Sequence, residues 1–226
     1  MRSRSPRRVG VSAIADAGWN DEGQASSSGV RVSDKAPRRT LAPGDRLEFI
    51  TDVEGNLRYF ELLVDRSEVL ICGRGGELSL RDGGWFVFGG DVCDRGPGDI
   101  RITKALVSLK RRFPERTILL QGNRDASKIR FGSEMDPSEE PGMGDQHFEY
   151  KYAAYLHGTG SERGRVSGCR WMLSTMGCDS CGSRTNTFES RRVELQELGH
   201  ASDDASVAES FYEAVNPHGA DPWFLE

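Results

Sequence analysis

Three short apolar runs, each breaking off into a polar, glycine-bearing loop, constrain this chain more than any other feature. Arg46-Leu47-Glu48-Phe49-Ile50-Thr51 ends at Asp52-Val53-Glu54-Gly55-Asn56. Trp85-Phe86-Val87-Phe88 runs into Gly89-Gly90-Asp91, and Thr117-Ile118-Leu119-Leu120 into Gly122-Asn123-Arg124-Asp125. Runs of this length and composition predict buried strands. Between them, Leu57, Phe60, Leu63 and Val64 lie at helical spacing behind Asn56 as a cap, and residues 100–113 form a second amphipathic segment closed by Pro114. Residues 69–72 and 77–80 predict two short extended pieces around a glycine turn. Strands alternating with helices predict an α/β layered sheet. In such sheets ligands gather outside the carboxyl ends of the strands, which is where all three polar loops fall.

Downstream the pattern weakens. Residues 132–145 are rich in Gly, Pro and acid and predict a loop, and residues 147–156 and 187–198 predict helices. Residues 158–184 form a glycine-rich stretch around Trp171-Met172-Leu173, and residues 203–215 predict a last short helix. The first 43 residues, opening Arg2-Ser3-Arg4-Ser5-Pro6-Arg7-Arg8, have few large apolar side chains and predict a disordered arm before a folded domain over 44–226. Such an arm suits a solvated tail, an organelle-targeting segment, a phosphorylated Arg-Ser tail or a nucleic-acid contact.

Charge sharpens this division. The arm holds eight Arg/Lys against four Asp/Glu, and residues 44–226 hold 22 against 31, so a net −5 hides a basic arm on an acidic body. An acidic body is a poor general binder of nucleic acid, so any such contact is expected only through the arm. No apolar run approaches the roughly 18 residues that span a bilayer, which argues against a membrane protein. The five cysteines, with no apolar leader before them, predict reduced thiols in an intracellular, most simply cytoplasmic, protein. Cys178 and Cys181 form a CxxC, but with no second pair they predict loop thiols, exposed or half-buried, rather than a zinc site.

The chemistry lies in the three loops. Hard divalent cations take oxygen ligands, and two metals close together need a carboxylate between them. Asp52 and Glu54, two apart at a strand end, face one side, Asp91 is the natural bridge, and Asn123 offers a neutral carbonyl. Arg95 brings a planar fork suited to phosphate. In order and spacing, Asp52-Val53-Glu54, Gly90-Asp91-Val92-Cys93-Asp94-Arg95-Gly96 and Gly122-Asn123-Arg124-Asp125 resemble the motifs of the calcineurin-like metallophosphoesterases, which include the Ser/Thr protein phosphatases. The resemblance covers residues 47–130, with the middle motif complete. It implies a layered α/β/β/α sandwich and a metal-dependent phosphoester hydrolase acting on a phosphorylated substrate. It further implies two divalent metals on Asp52, Glu54, Asp91 and Asn123, with Arg95, Arg124 and Asp125 at the catalytic and phosphate-binding positions.

The chain departs from the family pattern at three points. Glu54 stands where the family has a metal-binding histidine, which shifts the expected preference from zinc towards manganese, magnesium or iron. Arg124 replaces the histidine that protonates the leaving group, and arginine does not release a proton at ordinary pH. It is expected to hold phosphate instead, with Asp125 paired to it. The family's downstream Gly-His loops have no strand-borne counterpart among His147, His157, His200 and His218, so the sandwich is expected to be incomplete and the activity weak or absent. A catalytically silent phosphate- or metal-binding protein of the same fold is one alternative, and an RNA- or protein-interaction role carried by the N-terminal arm is the other.

Overall fold

The computed structural model describes residues 40–73, 76–134, 165–176, 178 and 186–225. In chain order it runs β1 (Arg46–Ile50), α1 (Leu57–Arg66), β2 (Leu70–Cys72), β3 (Leu78–Leu80), β4 (Gly84–Phe88) and α2 (Asp99–Arg112). Then follow β5 (Thr117–Leu119), α3 (Asn123–Lys128), α4 (Arg130–Glu134), α5 (Arg165–Thr175), α6 (Thr187–Glu197) and α7 (Asp204–Glu213). Strands β1, β4 and β5 form a parallel sheet in that order, with Ile50 opposite Phe88 and Val87 opposite Ile118. Strands β2 and β3 pair antiparallel in a separate hairpin. The fold is mixed α/β, as the alternation of strands and helices predicts.

Side chains alternate across the sheet. Ile50, Phe86 and Phe88 join Phe60 and Val64 of α1 and Ile102, Leu106 and Leu109 of α2 in one core. The other face departs from the expectation. Strand β1, predicted to be buried, lies at the sheet edge, with Leu47 56% and Phe49 58% exposed, and Leu120 after β5 is 52% exposed. Apolar runs mark parallel strands covered on both faces. Among the described residues the core packs on one of them.

A second core joins the later helices. Cys169, Trp171, Met172 and Leu173 of α5 pack with Phe131 of α4, Phe188 of α6 and Phe211 of α7. The sequence offers only a glycine-rich stretch around Trp171-Met172-Leu173 here, yet residues 165–175 are helical and Gly168 and Cys169 are buried inside α5. Glycine costs a helix only about 1 kcal/mol, less than burial of the aromatic and aliphatic cluster supplies. Helices α6 and α7 lie where the spacing predicts, capped by Asn186 and Asp203, whose side chains accept from the Glu189 and Ser206 amides. Trp223 is buried in this second core, and Phe224 packs against both. The basic arm, the predicted helix over residues 147–156, most of the 132–145 loop and Cys181 lie outside the described residues. No helix among the described residues is long and apolar enough to cross a membrane.

Candidate functional site

Because β1, β4 and β5 are parallel neighbours, their following loops emerge side by side, and backbone hydrogen bonds tie them together. The Asp52 amide donates to Gly90 O at 3.1 Å, Glu54 N to Asp91 O at 3.1 Å, and Gly55 N to Val92 O at 2.6 Å. Arg95 N and Gly96 N both donate to Glu54 O at 2.8 Å. The loops are backbone-strained as well. Among the described residues the non-glycine positions with positive φ are Asp52 (54°), Glu54 (47°), Asp91 (56°) and Asp94 (129°), all of them in these loops. Left-handed backbone costs an ordinary residue about 1–2 kcal/mol, and such strain collects at functional sites. Where β4 and β5 end, Gly90 and Gly122 approach so closely that a Cβ on Gly122 would run into the Asp91 carboxylate.

Side chains complete the arrangement. Asp125, buried, accepts from three backbone amides: Asp91 N at 2.7 Å, Val92 N at 2.9 Å and Gly122 N at 3.0 Å. It therefore locks the second and third loops together rather than pairing with Arg124, as the sequence suggested. That loop also turns out to open a helix, with Asn123, exposed, as the first residue of α3. The Asp91 carboxylate accepts the Arg124 amide at 3.0 Å. The Arg124 guanidinium pairs instead with buried Asp94 at 3.0 Å and with Glu54 at 3.3 Å. Glu54 also holds Arg95 at 2.8 Å, so its two carboxylate oxygens each carry a guanidinium. Asp52 is exposed, and its carboxylate accepts from the Thr51 hydroxyl at 2.7 Å.

Behind these loops stands a buried layer of charge that sequence reasoning missed. Lys128 of α3 is paired with Asp94, and its ammonium lies 3.7 Å from the Cys178 sulfur. Burial acts to lower the Lys128 pKa, but the Asp94 carboxylate overrides it and holds the lysine above its ordinary range. Cys178 proves buried rather than exposed, and desolvation pushes its thiol up to about 12 despite Lys128 beside it. Such a thiol is not a ready nucleophile. Asp99, at the start of α2, accepts from Asp94 N at 3.2 Å and pairs with Arg191 of α6 at 3.4 Å. Burial raises its carboxyl to about 6, with Arg191 opposing and Glu194 and Asp94 adding to the rise. Helix α6 also grips the middle loop through Thr187, which bonds Asp94 O, and through Ser190, which donates to Arg95 O at 3.0 Å. The one local signal for this layer was Lys128 four residues after Arg124, one helical turn along.

The donor set fits the metal expectation in part. Asp52, Asp91 and Asn123 are hard oxygen donors on neighbouring loops, suited to a magnesium- or manganese-like cation. Glu54 does not fit that role here, with both oxygens engaged by arginines. Among the described residues no three His, Cys, Asp or Glu side chains are grouped so as to hold a metal ion. His200 lines an apolar groove of about 580 Å³ bordered by α1 and α2, which shares no residue with the loops, and the His218 amide bonds Asn216. Neither joins the candidate site; His147 and His157 lie outside the described residues. No protein-family model, no curated protein and no solved structure matches this chain.

Proposed function

We propose that this chain is a phosphoester hydrolase of the calcineurin-like metallophosphoesterase type, built on one half of a layered sandwich and poor in turnover. The observation that carries the proposal is the convergence of three strand-end loops, the second and third fastened by Asp125, that sets Arg95 and Arg124 beside Glu54 and Asp94 on a strained backbone. In this reading Asp52, Asp91 and Asn123 hold a divalent cation, which when bound supplies Lewis-acid activation of water and of the phosphoryl oxygen. Arg95 and Arg124 bind the non-bridging oxygens of the phosphoryl group, a fit of planar N–H forks to tetrahedral oxygens. Arg124 holds a charge but delivers no proton, so departing alkoxides go without general acid help worth about 10²- to 10⁴-fold. Aryl phosphates, whose phenolate leaves unaided, are the substrates of choice. The test is turnover of p-nitrophenyl phosphate with manganese by the whole chain and by Asp91→Asn. The proposal expects slow, metal-dependent turnover that Asp91→Asn abolishes; equal rates in the two proteins overturn it.

A second reading, a catalytically silent phosphate-binding protein on the same fold, is favoured by one observation: Glu54 and Asp94 clamp the arginines, and among the described residues no histidine stands beside them. Phosphate binding that survives a chelator, with no manganese-dependent turnover of either aryl or alkyl phosphates, selects this reading over the first.

A further inference from the structure

Glu54 is the feature that the proposed hydrolase leaves unused. Its backbone is fixed: Glu54 N bonds Asp91 O, Glu54 O receives two amides, and its φ of 47° is one that few residues adopt. Its side chain is held by nothing of comparable rigidity. It reaches the Arg95 guanidinium at 2.8 Å and Arg124 Nε at 3.3 Å, each through a different oxygen. Two guanidiniums gathered on two oxygens of one anion is the arrangement that binds a phosphate monoester. The arginines differ in how they are anchored. Arg124 also grips Asp94, fully buried, so its direction survives without Glu54. Arg95 has a fixed backbone, its amide on Glu54 O and its carbonyl on Ser190, while its side chain is 55% exposed and, among the described residues, pairs with Glu54 alone. An ion pair half open to water is weak, and a dianion brings more charge and more acceptor oxygens than a carboxylate.

We propose that the Glu54 carboxylate is an internal occupant of an oxyanion site formed by Arg95 and Arg124, and that an incoming phosphate displaces it by rotating the Glu54 side chain while the loop backbone stays in place. Glu54 is thereby a built-in competitor that holds Arg95 and Arg124 on one anion until phosphate arrives. The inference rests on reading the two arginines as the oxyanion-binding part of the proposed site.

The test is binding of inorganic phosphate to the full chain by titration calorimetry, in chelator, at constant ionic strength set with chloride. Glu54→Gln removes the competing charge at equal size. Glu54→Asn does so with a residue that tolerates left-handed backbone, and keeps the test open if the first variant folds poorly. Both are expected to bind phosphate roughly tenfold more tightly than the parent, because a negative charge beside the incoming dianion is gone. Arg95→Ala added to Glu54→Gln is expected to lose that gain. If parent and variants bind phosphate equally, or the variants bind less tightly, the competitor role is overturned while the oxyanion site stands. If none of the proteins binds phosphate, both the competitor and the reading of the arginines fall.

Discussion

At the scale of the residue, the site is decided by which charge meets which. Asp94 is fully buried and survives there because Lys128 and Arg124 share it. Removing one partner of a buried pair leaves the other's desolvation uncompensated, a loss of about 3–5 kcal/mol, whereas replacing both with neutral groups can be close to neutral. Lys128→Met is therefore expected to lower stability by about 3 kcal/mol, the low end because Arg124 remains. Adding Asp94→Asn is expected to recover much of it, as read from urea midpoints of the single and double variants; a double variant no more stable than the single overturns the pairing argument. Gly122 raises a steric question instead. A methyl there points into the Asp91 carboxylate. Gly122→Ala is expected to cost about 1–3 kcal/mol through overpacking and to abolish the rise in melting temperature that manganese gives the parent. A manganese shift unchanged in Gly122→Ala removes Asp91 from the metal site.

At the scale of the element, helix α2 carries the pH response. Its first turn holds Asp99, and the carboxylate of Glu194, 94 residues on from Ile100 and buried, accepts the Ile100 and Arg101 amides at 3.0 Å each. An acid at a helix start is favourable, but two acids buried there with chiefly Arg191 between them leave Asp99 titrating near pH 6. Its folded pKa lies above the unfolded value, so between about pH 4 and 6 the folded chain takes up a proton that the unfolded chain does not. Stability therefore rises as pH falls through that window, by on the order of 3 kcal/mol at 1.36 kcal/mol per unit. Glu189, Asp203 and Asp204 act oppositely. Hydrogen bonds to Arg192 lower Glu189 and Asp204, and bonds to Ser206 lower Asp203, so their contribution is present above their unfolded pKa and lost as pH falls below about 4. Urea stability is thus expected to climb from pH 7 to about pH 5 and to fall below about pH 4. Asp99→Asn is expected to flatten the upper limb and leave the lower one; an upper limb unchanged in Asp99→Asn places the titration elsewhere.

At the scale of the whole molecule, what the sequence conveys is what depends on neighbours in the chain. Asp52, Asp91 and Asn123 were legible because each follows an apolar run at a strand's end, and parallel pairing brings such ends together. Asp99, Arg191 and Glu194 were not, because their partners lie more than 90 residues away, and the pairing of Asp94 with Arg124 and Lys128 was not, because it forms only once β5 has brought α3 beside the second loop. Helix α5 escaped notice because its buried residues crowd into Gly168, Cys169, Trp171, Met172 and Leu173, with only Arg170 between them, instead of recurring at the three- and four-residue spacing of a helix face. The edge position of β1 was hidden for a similar reason: an apolar run reports attraction to a core, not the number of faces covered. Its consequence is a sheet face on which Leu47, Phe49 and Leu120 stand open beside the partly exposed Trp85, Val87 and Ile118. Large contiguous apolar patches are uncommon on isolated folded chains and bind apolar probes. Phe49→Thr with Leu120→Thr keeps a strand-favouring residue in β1 and removes apolar surface already in water. The pair is expected to lower the fluorescence of a bound anilinonaphthalene dye and raise solubility, while the urea midpoint moves by no more than about 0.5 kcal/mol-equivalent, as for substitutions outside a core. A loss of several kcal/mol, on the scale of large-to-small changes in a packed interior, means that this face is covered in solution and that β1 is as buried as its sequence predicts.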